Sequence, residues 1–116
     1  MAKEYNWHRV AASDADMIIA ENEITVRELN GKKICCTRYE GKLYAFAYKC
    51  PHASGIMADG YIDDTGNVVC PLHRYRFALR NGYNTSGEGY YLKTYPVELR
   101  EDGVYIGQEK SSWLGW

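Results

Sequence analysis

Apolar residues recur along this chain in short runs, not with the period of a helix. ITVREL (24–29), KICCTRY (33–39), LYAFAY (43–48), NVVC (67–70), YRFAL (75–79), YPVEL (95–99) and GVYIG (103–107) are each a handful of residues, rich in Val, Ile, Tyr and Phe. Such residues pack well on a pleated, half-buried surface. Between the runs stand Asn30-Gly31, Glu40-Gly41, Asp59-Gly60, Thr65-Gly66, Asn81-Gly82 and Asp102-Gly103, dipeptides that reverse the chain in tight turns. The pattern predicts an antiparallel, all-β protein made of hairpins. Its one helical expectation is a short turn near residues 11–16.

Composition narrows the function. At 116 residues the chain reads as a single domain, 1–116, with a modest core. The formal net charge is -1 with acids and bases interspersed, so neither a nucleic acid nor an anionic membrane is an expected partner. The first twenty residues carry no signal-peptide pattern and no apolar run of membrane-spanning length, and a cytoplasmic location is expected. The four cysteines are then expected as thiols, not disulfides.

Cysteine and histidine are scarce, yet two short loops hold most of them. In KCPHASG (49–55) Cys50 and His52 flank Pro51; in VCPLHRYRF (69–77) Cys70 and His73 enclose Pro71 and Leu72. Two thiols and two imidazoles suggest a metal centre. One tetrahedral zinc is a simple reading, but zinc loops usually separate paired ligands by two to four residues. A single stiff proline directs Cys50 and His52 at neighbouring points instead. Two adjacent irons remove the difficulty, because each loop can give its cysteine to one iron and its histidine to the other. Cys35 and Cys36 are adjacent, so at most one is expected to face a core. His8 has no ligand spacing to the loops.

CPH and CPLH together resemble the ligand motif of the Rieske [2Fe-2S] ferredoxin family, and the likeness extends from LYAFAYKCPHASG (43–55) through GYIDDTGNVVC (60–70) to GVYIG (103–107). It implies an antiparallel β sandwich or barrel base carrying a small cluster-binding lobe at about residues 47–79. It also implies a [2Fe-2S] cluster with Cys50 and Cys70 on the inner iron and His52 and His73 on the outer. Two ferric ions, two sulfides and two thiolates sum to zero charge, which eases reduction. Potentials of such centres lie at about -150 to +300 mV, against about -400 mV for plant-type ferredoxins.

The chain departs from the high-potential members. Where they carry an extra disulfide between the loops it has Ser54 or Gly55 and Leu72. Where they place hydroxyls beside the cluster it has Tyr75 and Phe77, so the lower part of the range is expected. Arg74 replaces the glycine common after the second histidine, which raises the expectation of a different turn; with Arg76 and Arg80 it could form a basic patch. The stretch SGEGYYLKTYP (86–96) is expected to buttress the lobe, and SSWLGW (111–116) to fold back on the base.

Four protein ligands leave no open metal position, and once His52 and His73 are used only His8 remains. The two-His, one-carboxylate iron site of Rieske oxygenases therefore cannot be assembled. Nor is there a flavin or nicotinamide fingerprint. The expected function is a soluble electron carrier, not an enzyme, which passes single electrons from a reductase to a terminal oxygenase or other acceptor. Two alternatives stand beside it: a small subunit of a larger reductase such as NAD(P)H nitrite reductase, and a zinc-stabilised module without a redox role.

Overall fold

The computed structural model describes residues 4–51, 55–87 and 89–110. Among these residues there are ten strands: β1 (Tyr5–Ala11), β2 (Ile24–Leu29), β3 (Lys32–Tyr39), β4 (Lys42–Ala47), β5 (Tyr61–Ile62), β6 (Asn67–Val69), β7 (Arg76–Ala78), β8 (Thr94–Tyr95), β9 (Val97–Arg100) and β10 (Gly103–Glu109). Helical structure among the described residues is confined to two single 3-10 turns, Asp14–Asp16 and Met57–Asp59. The first falls in the span the sequence marks as helical. The second uses Asp59-Gly60 to end a turn, not to make the hairpin that dipeptide predicts.

The chain divides into two compact units, one from Ile19 to Thr94 and the other from the segments flanking it. In the flanking unit β1, β10 and β9 form a sheet in that order. Tyr5 lies opposite Glu109 and Trp7 opposite Gly107, with an irregularity between Arg9 and Ala11. Gly103 pairs with Arg100, so the turn falls on Glu101 and Asp102, one residue earlier than predicted. A side chain at Gly103 would run into the Ala11 carbonyl. The Arg100 guanidinium lies over the rings of Trp7 (5.1 Å) and Tyr105 (4.2 Å). Strand β1 was not legible as a strand, because YNWHRVA lacks alternation and takes its conformation from a partner at the other end of the chain.

The unit from Ile19 to Thr94 contains β2, β3 and β4, which β8 extends, and a second sheet of β5, β6 and β7. The β2–β3 and β3–β4 hairpins turn on two residues each, Asn30-Gly31 (φ 53° and 81°) and Glu40-Gly41 (φ 50° and 79°). Both residues of such a turn need positive φ. Glu40 tolerates it because the Glu21 carboxylate accepts the amides of Glu40 and Gly41. A core forms among Cys35, Phe46, Met57, Val68, Phe77, Leu79 and Leu92, and Cys50 and Cys70 belong to it.

Strand β3 corrects the expectation for Cys35 and Cys36, since both are buried. Their side chains leave opposite faces of the strand, and both faces are covered: Ile34 and Ala45 are buried along with Cys36. Burial pushes the Cys35 thiol up to about 12 and that of Cys36 to about 11. Both are neutral, packed side chains.

Candidate metal centre

The two motif loops are built alike. Strand β4 is followed by Tyr48, Lys49 and Cys50, and the chain returns so that Lys49 bridges Ile56 and the Met57 amide donates to Tyr48 O at 2.8 Å. At the tip, the Cys50 amide donates to Gly55 O at 2.8 Å. In the second loop Val69 of β6 pairs with Arg76 of β7, and the Cys70 amide donates to Tyr75 O at 2.9 Å. Each cysteine ends the outgoing arm of a hairpin and is tied to the carbonyl five residues ahead. The pairing of the arms thus fixes both cysteine backbones without any metal.

Cys50 and Cys70 are buried, and their thiols meet as hydrogen-bond partners. Burial, offset by a hydrogen bond from the Leu72 amide and reinforced by the Cys50 thiol, pushes the Cys70 thiol up to about 11. A cation is what would keep such a pair deprotonated. Gly55 makes room for it: a Cβ there would stand 2.9 Å from Cys70 Sγ and 3.2 Å from Leu72 Cγ. The Leu72 side chain therefore covers Gly55. His52 and Ser54 lie outside the described residues.

His73 is exposed at the tip of the second loop. It and Arg74 both have left-handed backbones, φ 63° and 57°, a conformation that costs about 1–2 kcal/mol for a residue with a Cβ. The chain thus keeps a glycine-like turn at Arg74, contrary to the expected change of turn. The Tyr75 ring sits 6.1 Å from that of His73 and stacks on Tyr90 at 6.4 Å. Tyr90 belongs to the stretch expected to buttress the lobe. Phe77 is fully buried in the core.

The expected basic patch does not form as such. Arg76 pairs with Asp63 at 3.6 Å, and Arg76 and Arg80 line a cleft shared with Glu40, Asp63 and Asp64. Among the described residues no three His, Cys, Asp or Glu side chains converge on one point. Two buried thiols side by side and an imidazole apart from them at the surface fit a group with two different poles, such as a [2Fe-2S] cluster with sulfur and nitrogen ends. The motif residues were legible in the sequence. The roles of Gly55 and Leu72 were not, although a large apolar residue inside a polar loop is the one signal that marks Leu72.

The Rieske [2Fe-2S] domain matches residues 6–96. The chain is 34% identical over 98 residues to the ferredoxin component of the naphthalene 1,2-dioxygenase system of Pseudomonas putida, covering 84% of this chain and 89% of that one. Among solved structures, the complex of reduced oxygenase and oxidized ferredoxin in carbazole 1,9a-dioxygenase is similar at a TM-score of 0.72 and 23% identity, over 90% of this chain and 95% of that one. A putative NADH-dependent nitrite reductase small subunit from Mycobacterium tuberculosis is similar at 0.75 and 20%, over 90% of this chain and 96% of that one. At those identities the structural likenesses speak for the fold. The domain match and the Pseudomonas relative go further, and by them this chain belongs to the Rieske [2Fe-2S] domain family.

Proposed function

We propose that the chain is a Rieske-type ferredoxin that receives single electrons from a reductase and delivers them to a terminal oxygenase, as the dioxygenase system named for its Pseudomonas relative suggests. Cys50 and Cys70 hold the inner iron of a [2Fe-2S] cluster and His52 and His73 the outer, in a lobe spanning about residues 47–79 of a single 1–116 domain. The observation that carries this reading is the pair of buried thiols presented by two matching hairpins beneath an exposed histidine. When bound, the cluster supplies the one-electron couple. Everything else falls to the protein. Phe46, Met57 and Phe77 keep water from the cysteine side, the Leu72 amide donates a hydrogen bond to the Cys70 sulfur, and the exposed His73 loop offers the short path to a partner. Among the described residues no helix is long and apolar enough to cross a membrane; the cytoplasmic location we assign rests on the sequence alone.

Visible absorption and low-temperature EPR of anaerobically purified protein, before and after dithionite, test the reading. A red-brown protein that partly bleaches and gives a Rieske-type signal is expected, and Cys70→Ser should lose both colour and signal. A colourless protein holding one zinc, or a native spectrum from Cys70→Ser, would overturn it. In the alternative already raised from the sequence, the same cluster serves inside a larger reductase. Stable co-purification with a large subunit distinguishes that case from a free carrier.

A further inference from the structure

His73 and Arg74 form a left-handed turn without glycine, at φ 63° and 57°. A turn of that kind is disfavoured by itself and persists only where its surroundings hold it. At its base the Cys70 amide bonds Tyr75 O at 2.9 Å. Against its side lies the Tyr75 ring, tilted 50° to that of His73 with centroids 6.1 Å apart. Behind Tyr75 stands Tyr90, stacked at 6.4 Å and 24°. Tyr90 comes from a separate stretch of chain beyond Gly89 and is 45% exposed. Its ring packs on that of Tyr75, which in turn packs on that of His73.

We infer that Tyr90, acting through Tyr75, is a positioning residue that holds the His73–Arg74 turn and so fixes the direction in which the His73 imidazole is presented. The inference rests on His73 being a cluster ligand, as proposed above. Arg74 adds to the need for the brace, because glycine at that position would adopt its part of the turn freely while His73 would still carry its own positive φ. Positions 74 and 90 should therefore be coupled although their side chains serve different ends.

The test uses the cluster-loaded protein and four variants: Tyr90→Ala, Tyr90→Phe, Arg74→Gly and the Arg74→Gly/Tyr90→Ala double. The readouts are the EPR g-values of the reduced protein, the reduction potential and the rate at which a chelator bleaches the cluster. Tyr90→Ala should shift the g-values and potential and speed bleaching by about two- to twelve-fold, the range an aromatic pair of this kind supports. Tyr90→Phe, which keeps the ring, should stay closer to wild type than Tyr90→Ala does. In the Arg74→Gly background, where only His73 still strains the turn, the effect of Tyr90→Ala should be smaller than in wild type. If Tyr90→Ala does not fold, Tyr90→Leu, which lacks the flat face, takes its place. Unchanged g-values and bleaching in Tyr90→Ala, or an equal effect in both backgrounds, would overturn the brace while leaving the ligands standing. A wild-type protein with no Rieske-type signal would overturn the ligand assignment and the brace with it.

Discussion

A thiol buried away from water resists ionisation, and Cys35 shows the consequence for stability. Its folded value is raised by burial from 9.0 to about 12, so the neutral form is favoured on folding. That contribution is whole below pH 9.0 and is lost as pH rises towards about 12. Wild type should therefore lose thermal stability above pH 9 more steeply than Cys35→Ala, as melting curves across that range would show. The motif cysteines were readable as chemistry because residue type and spacing carry the signal. Their surroundings were not. That the Leu72 amide reaches the Cys70 sulfur, or that a Cβ at Gly55 would press on it, depends on how two loops meet, and spacing along the chain does not encode that.

The hairpin between β5 and β6 depends on one carboxylate. Asp63 Oδ1 accepts the amides of Thr65 and Asn67 at 3.0 Å each, and Oδ2 accepts the Asn67 side-chain amide at 3.1 Å. Burial pushes the Asp63 carboxyl up, but these bonds outweigh it and leave its pKa below the ordinary 3.8. Its stabilisation is thus present above that value and lost as pH falls through the lowered one. Arg76 adds little, since its side chain is 57% exposed and the pair is screened. Urea unfolding should find Asp63→Asn less stable than wild type at pH 7, with the gap closing in acid. A gap that persists at pH 2 would assign the effect to packing. The central hairpins were legible because their turns are local: Asn30-Gly31 and Glu40-Gly41 sit where the glycine pattern puts them. Strand β1 was not, because its register against β10, Tyr5 opposite Glu109, is set by residues from the far end of the chain. The strand content of a sequence is readable where pairing is between neighbours and fades where it is not.

For the molecule as a whole, strand pairing and apolar packing hold the framework beneath the proposed cluster. The core around Phe46, Val68 and Phe77 and the strand pairing beneath both loops involve none of the proposed ligands beyond the two cysteines. Removing the cluster by chelation should leave the far-UV circular dichroism of the β sheets in place while the visible bands vanish; collapse of the β signal would show that the metal organises the fold. The amide bonds that close each loop, Cys50 to Gly55 and Cys70 to Tyr75, bear on more than assembly. On the proposed function, a chain that has lost its iron should keep the scaffold of the face it turns to its partner. It then competes for that partner and delivers nothing, so the flow of electrons should depend on the ratio of loaded to empty chains as well as on the number loaded.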